Sequence, residues 1–565
     1  MKEAIVNLLA KELAKLKLDK KEIESLIEIP PDSKLGDYAF PCFRLAGMLK
    51  KNPQEIANDF VKSINKKLPK EISGIKATGP YINFFLDKKI FAHEILSRAL
   101  NDEFGQAGKP GTKGKILLEH TSVNPNAAPH VGRTRNSIIG DSIKRILEFQ
   151  GYNVETHYYI NDVSKQVAML ALNFRPRDNF GSLLKRYVDI SKKIEKNPRL
   201  EKKTFELLHK FEHKDKKTLA LFKKIVDTAI KGQKEIFSSI GINFDYFDYE
   251  SRYLEPAKQI LKELEKTGKL FKDKENRLVL NQSGTSVQGK MKFPYLVLTR
   301  SDGTGLYPLR DLAYTIEKCR KGKNILVLGE DQKLYFEQLK QALILLKKPY
   351  PEVVHYSFVL IKDTEGTKKM STRRGEVVLL KEFITEAIKK AAEEVKKRKT
   401  KGDAKKVGIG AVKYSMLRNE NDKNITFDWQ QALSFEGDSG PYLQYSYARA
   451  SSILKKINKK SKSKAKSKTT KLKTNEINES EFKLIKIISE FPEIVKQAEK
   501  NLSPSIIANY SFELAQIFNE FYHSCPVINA DNKEQQVFRL KLVEAFRKTI
   551  KKAVYLLGIE VMEEM

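Results

Sequence analysis

Residues 116–133 limit what this chain can become more than any other stretch. The apolar run Ile116-Leu117-Leu118 reads as a strand. Asn124-Pro125 and Ala128-Pro129 then hold the chain extended, because the residue before a proline is pushed out of the α region. Past Gly132 the apolar positions Ile138, Ile139, Ile143, Ile146 and Leu147 recur at helical spacing. A strand, a tight loop and a helix start in that order offer backbone N–H groups and a positive dipole end to a phosphate. His130 and Arg133 add side-chain donors at the same place. An ordinary strand-to-helix turn with a surface histidine shares the pattern, so the rest of the chain decides.

At 565 residues the chain has room for about three to five domains and a large core. Lys+Arg total 104 against 71 Asp+Glu, and the resulting +33 favours a polyanionic partner while saying nothing about fold. No run approaches the ~18 apolar residues of a membrane span. The first ten residues begin an amphipathic helix that already carries acid, unlike a signal or transit peptide. Cys42, Cys319 and Cys525 lie far apart with no Cys-x-x-Cys, so neither a zinc site nor a disulfide framework is indicated. The expectation is a soluble, cytoplasmic protein with no membrane partner and no tightly bound, protein-ligated metal.

Residues 1–100 read as an α+β unit. Asn52-Pro53-Gln54-Glu55 is a helix start, and Gly79-Pro80 turns into an edge-type strand, Tyr81 to Phe85. Residues 105–114, rich in Gly, Lys and Pro, form a linker. From Lys115 to about Gly402 strands and helices alternate, which argues for a parallel sheet with helices on its faces. Candidate strands are 115–120, 153–159, 294–299, 323–328 and 353–360, with 178–240 as a charged helical insertion. From Ala404 onward the chain reads as helical, with helices near 479–500, 503–523 and 533–557 and a lysine-rich solvated loop at 455–473.

In open parallel sheets ligands sit beyond the carboxyl ends of the strands. Four polar clusters follow candidate strands: Glu119 to Arg133, Tyr158 to Gln166, Ser301 to Asp311, and Gly366 to Gly375. A helix beginning near Pro308 places Tyr307 and Asp311 one turn apart, facing one pocket. The last cluster sets four cations in a glycine-bounded loop, which suits a charged leaving group.

His130-Val131-Gly132 followed by Lys369-Met370-Ser371-Thr372-Arg373 resembles the paired signature of class I aminoacyl-tRNA synthetases. Ser122-x-Asn124, Arg135, Gly140-Asp141, Asn161-Asp162-x-x-x-Gln166, Tyr307-x-x-x-Asp311 and Gly329-x-Asp331-Gln332 sharpen the resemblance to the arginyl-tRNA synthetase family. Ser434 to Arg449 is similar to that family's junction with its anticodon-binding domain, and Gly36 to Ala39 with Gly79 to Phe84 to its additional tRNA-binding domain.

The resemblance implies a multidomain architecture: an α+β N-terminal tRNA-binding domain (1–100), an α/β Rossmann-like class I catalytic domain (113–403), and an all-α anticodon-binding domain (404–565). It implies ligation of L-arginine to tRNA(Arg) through arginyl-adenylate, with ATP and its accompanying Mg2+, a requirement for bound tRNA in the first step, and action as a monomer. His130, Gly132, Arg133, Lys369, Ser371 and Arg373 are implied to be catalytic, with Pro129 and Met370 joining them in binding ATP. Glu119, Ser122, Asn124, Tyr307, Asp311 and Gln332 match the arginine pocket, and fixed carboxylates with neutral acceptors suit a planar, permanently charged guanidinium. Asp311 is assigned to the guanidinium; Glu119 or Asn124 holds the α-amino group. Tyr38, Phe84, Gln444, Tyr445, Arg449 and Tyr522 are implied to contact tRNA. The chain departs from the pattern at Arg133, where a second histidine is usual, at Thr372 in place of a second lysine, and at Val163-Ser164 in place of Trp-Gly.

Overall fold

The computed structural model describes residues 2–16, 18–64, 68–363, 366–369, 378–461 and 476–565. Packing divides the chain into two units. One unites Met1–Phe104, Ile453–Glu490 and Gln516–Thr549; the other unites Gly105–Ser452, Phe491–Ala515 and Ile550–Met565. The helices Glu479–Asn501, Pro504–Ser524 and Lys533–Leu556 fall close to their expected bounds and contribute residues to both.

The first unit holds an antiparallel sheet of β1 (Tyr38–Pro41), β2 (Ile72–Thr78) and β3 (Tyr81–Leu86), in the order β1-β3-β2. The strand expected at an edge is therefore the central one. Its near-continuous apolar sequence reflects that place, since Ile82, Asn83, Phe84 and Leu86 are all buried. The helix Pro53–Ile64 starts as expected, its Asn52 side chain accepting from Gln54 N at 2.9 Å.

The second unit is built on a parallel sheet of five strands. These are β4 (Lys115–Thr121), β5 (Asn153–Ile160), β6 (Tyr246–Tyr249), β10 (Lys323–Gly329) and β11 (Glu352–Tyr356), ordered β11-β10-β4-β5-β6. The chain runs from β4 outward to β6, then returns to the other side of β4 through β10 and β11. The order reverses between β4 and β10, and the crevice beyond the strand ends there is where such sheets take ligands.

Three strand expectations are corrected. Residues 295–297 do not join the parallel sheet; β7 (Leu270–Lys272), β8 (Leu278–Asn281) and β9 (Tyr295–Val297) form a separate antiparallel sheet. Residues 353–360 break at Ser357-Phe358 into β11 and β12 (Val359–Asp363), and β12 pairs with β13 (Gly366–Lys369). After Ala404 the chain is not wholly helical, because β14 (Ile425–Phe427) pairs parallel with β12. The segment 178–240 is helical over Phe180–Lys196, Pro198–Glu212 and Lys216–Ser239. Its last helix buries Phe222, Ile225, Val226, Ala229 and Phe237 and leads into β6, so it is part of the core and not an appendage. No helix among the described residues is long and apolar enough to cross a membrane.

Candidate active site

The loop between β4 and the helix Val131–Phe149 is held from three sides. Ser122 Oγ donates to Tyr159 O at 2.9 Å, and Val123 N donates to the Tyr158 hydroxyl at 3.1 Å. Gln233, from the helix Lys216–Ser239, donates through Nε2 to Asn124 O at 3.1 Å and Ala127 O at 2.9 Å. On the far side Val131 N donates to Val378 O and Leu380 N to Pro129 O, which fixes the loop's end to the start of the helix Leu380–Lys397. The carbonyls of Asn124, Ala127 and Pro129 are thus paired without a helix.

At the end of β4 the register shifts between Glu119 and Thr121, making His120 the extra residue. His120 is buried under Gly140, where an added Cβ would stand 2.2 Å from the ring. That contact accounts for the glycine. Burial pulls the His120 imidazole down to about 4, so it packs as a neutral ring.

Ser122, Asn124, Pro129, His130 and Arg133 line a cavity of about 310 Å³ at the helix start. His130 is the N-cap residue, and its Nδ1 is buried without a hydrogen-bond partner among the described residues. Burial, and then Arg133, lower its pKa, which leaves a neutral imidazole able to donate from one nitrogen. Gly132 sits in the first turn of the same helix. Arg133 reaches across the switch point to Asp331, 3.7 Å away, and both side chains are half exposed.

The second pocket is acidic. The helix Tyr307–Lys321 begins at Tyr307, so Tyr307 and Asp311 share its first turn as expected. Asp311 accepts from the Tyr335 hydroxyl at 2.5 Å, and the Tyr307 and Tyr335 rings lie 5.3 Å apart. Burial pushes the Asp311 carboxyl up to about 6, Glu119 adding to the rise while Tyr335 and Arg310 oppose it. Glu119 accepts from Lys318 Nζ at 2.7 Å, and the Lys318 ammonium lies 4.7 Å over the Tyr314 ring. Glu250, 1% exposed, accepts from Arg310 Nε at 2.5 Å, its other oxygen having no hydrogen-bond partner among the described residues. Burial pushes Glu250 up to about 7 against the pull of Arg310. Glu250, Lys318 and Gln233 are absent from the sequence-based expectation, since none lies in a motif or a turn signal, and Arg310 stands inside the Ser301 to Asp311 cluster without an assigned role.

The remaining expected residues divide. Gln332 is exposed at the end of the turn after β10. Lys369 is the last residue of β13, its backbone opposite Leu360, while Met370, Ser371 and Arg373 lie outside the described residues, as do positions 462–473 of the lysine-rich stretch. Tyr38 is partly buried, and burial, with Glu490 and Asp37, raises its hydroxyl to about 12. Tyr522 is 38% exposed, and Arg449 stacks 4.7 Å over the Tyr445 ring. Two expected tRNA contacts are corrected. Phe84 is wholly buried in the core of the first unit. Gln444 is wholly buried and spends its amide on Lys406 O at 3.0 Å and Glu560 O at 2.7 Å. Neither side chain is available to a ligand.

A nucleotide-sized cavity at a helix start, next to a buried acidic pocket at the switch point of a parallel sheet, is the arrangement of a class I aminoacyl-tRNA synthetase. The family described as "tRNA synthetases class I (R), catalytic domain" matches residues 95–429. The "DALR anticodon binding domain" matches 443–565, and the "Arginyl tRNA synthetase N terminal domain" matches 3–86. The chain is 38% identical to the arginine–tRNA ligase of Methanocaldococcus jannaschii, over 95% of each chain, and 35% identical to that of Clostridium perfringens, over 97% of each. Among solved structures it resembles Thermus thermophilus arginyl-tRNA synthetase, with a TM-score of 0.79 and 26% identity over the whole of both chains. The chain belongs to the arginyl-tRNA synthetase family. It catalyses the ATP-dependent ligation of arginine to tRNA, and the three-part architecture expected from sequence is the one it has.

Proposed function

We propose that ligation proceeds in two steps at the switch-point crevice, the first requiring bound tRNA. The acidic pocket carries this reading. Glu119 and Glu250 are each paired with a cation, Lys318 and Arg310, whereas Asp311 has no ion-pair partner among the described residues and is left for an incoming guanidinium. Asp311 takes the guanidinium. Glu119 is held by Lys318 through one oxygen, so its other oxygen or Asn124 receives the α-amino group. A pocket built around paired polar groups rejects ligands that leave them unpaired, by about 10⁴-fold.

Arginine's carboxylate is ionised already and needs no base. Its oxygen attacks the α-phosphorus of ATP, which enters as its Mg2+ complex, and pyrophosphate leaves. His130, Arg133 and the helix start at Gly132 hold the phosphates, and Lys369, Ser371 and Arg373 close on the leaving group. The terminal ribose of tRNA then attacks the arginyl carbonyl carbon and AMP departs. Residues 1–100 and 404–565 hold tRNA, with Tyr38, Tyr445, Arg449 and Tyr522 as contacts, and the enzyme works in the cytoplasm as a monomer.

Arginine use should weaken in mild acid. Asp311 titrates at about 6 in the empty pocket, and a protonated carboxyl cannot pair with a guanidinium. The KM for arginine should climb about fivefold over the pH unit below that value, with the KM for ATP changing less. A flat arginine KM through that window contradicts the assignment.

Arg133→His tests the nucleotide side. Arginine keeps its charge at every accessible pH, whereas imidazole loses it near ~6.5. The variant's adenylation rate should fall as pH rises through neutrality, while the wild type stays level. Superimposable profiles would remove Arg133 from the nucleotide site.

A further inference from the structure

The parallel sheet ends on β11, and between that edge strand and the helix Lys333–Leu345 lies a groove of about 780 Å³. That volume is in the range of small-molecule sites. The register sets Leu326 opposite Val353 and Leu328 opposite His355. Side chains alternate across a strand, so Asn324, Leu326, Leu328, Val353 and His355 share the face that the helix covers. On the helix, Lys333, Phe336, Glu337 and Lys340 recur at i, i+3, i+4 and i+7 and form the facing wall. No residue of this groove lines the cavity at the first signature or belongs to the acidic pocket.

Hydrogen-bonding capacity is left over inside it. Asn324 is 4% exposed, and its Oδ1 has no hydrogen-bond partner among the described residues. His355 Nδ1 is buried and equally without one among them. Burial, then Lys333, lowers the His355 pKa, which leaves a neutral imidazole. Each buried group left unpaired costs about 1–3 kcal/mol, a cost that a ligand with the complementary group removes. By the strand register Asn324 falls opposite Pro351, so four residues of strand, about 13 Å, separate it from His355.

The two ends differ in chemistry. At the Asn324 end, Lys323 is paired with Glu352 at 2.7 Å, and the Lys340 ammonium lies 4.7 Å over the Tyr350 ring. Tyr350 is 48% exposed and kept extended by Pro351, so its ring is a fixed platform. At the His355 end, Glu337 faces Lys290 at 4.0 Å, while Lys333 is exposed and has no ion-pair partner among the described residues. A flat ring and an open acceptor at one end, with a free cation at the other, match the layout of a nucleotide. Adenine carries one donor group, its amine, which a single amide oxygen satisfies. We propose that this groove is a second nucleotide site, taking an adenine nucleoside di- or triphosphate with its base at Asn324 and Tyr350 and its phosphates at Lys333. A ribose hydroxyl meets His355 Nδ1 between them.

Binding of ADP to the full chain tests it, with the crevice saturated by a non-hydrolysable arginyl-adenylate analogue so that ADP cannot enter there. One ADP per chain should still bind, with a Kd below about 1 mM. Tyr350→Ala should weaken it about tenfold, the scale of one lost stack, and Lys333→Ala should do the same through one lost charge-assisted contact. Both side chains are exposed, so neither substitution opens the core. Pyrophosphate, which lacks the ring, should bind about tenfold more weakly than ADP. No binding beyond the analogue, pyrophosphate binding as tight as that of ADP, or an affinity unchanged in either variant overturns the proposal. Tyr350→Ala should keep the wild-type KM for arginine; an altered one would place Tyr350 in the ligation machinery and overturn the separate site.

Discussion

Replacing Asp311 by alanine should raise the KM for arginine by about 100-fold or more and leave tRNA affinity within about twofold. Removing one partner of a buried charge pair costs about 3–5 kcal/mol, and every 1.4 kcal/mol is tenfold in affinity. Among the described residues Asp311 has no ion-pair partner, unlike Glu119 and Glu250. Glu119 is engaged by Lys318 and Glu250 by Arg310, whereas Asp311 accepts from the Tyr335 hydroxyl. Burial, with Glu119, raises its pKa, and a guanidinium beside it would favour the charged form. Asp311→Asn keeps the shape and should lose nearly as much, because charge and not contact is what it lacks. Measuring the arginine KM together with tRNA binding checks both; an equal loss of arginine use and tRNA affinity would mean that the substitution had damaged the fold instead.

Arg135→Ala should lower the stability of the second unit by several kcal/mol and abolish adenylation with it. Arg135 is fully buried and has no carboxylate in hydrogen-bond range among the described residues. Its guanidinium donates to four backbone carbonyls: Met416 O at 3.3 Å, Ser357 O at 3.0 Å, Lys423 O at 2.6 Å and Glu420 O at 2.9 Å. Each buried carbonyl left unpaired costs about 1–3 kcal/mol. Ser357 lies two residues before β12, so the same guanidinium ties the first signature helix to the entry of the strand that pairs with β13. Arg135→Lys retains the charge but presents one ammonium where a fork reaches several segments, and it should recover only part of the loss. Calorimetry on the full chain, alongside the adenylation rate, provides the check. An unchanged transition in Arg135→Ala would show that the carbonyls find other donors.

What could be read from the sequence follows from the range of the forces involved. The β4 strand, the extended loop and the helix Val131–Phe149 were legible because proline sterics and helical periodicity act over a few residues. Tyr307 and Asp311 were legible together because a helix start with Pro308 in its first turn sets their spacing locally. β6 and the partners of β9 were not, since strands of four and three residues carry too little pattern to announce which sheet they join. Glu250, Lys318 and Gln233 were silent for a different reason. They are ordinary polar residues in an unremarked turn and two helices, and only long-range packing turns them toward the site. Phe84 and Gln444 show the converse error: both stand in motifs that resemble the family's, yet a motif does not say which way a side chain faces, and both face inward.

The dependence of adenylation on both arginine and tRNA tests the central claim most directly. ATP–pyrophosphate exchange measured with the full chain should appear when arginine and tRNA are both supplied, and should be absent when either is withheld or when lysine replaces arginine. Exchange that proceeds with arginine alone would contradict the requirement for tRNA. No exchange with arginine and tRNA together would contradict the assignment of the crevice itself.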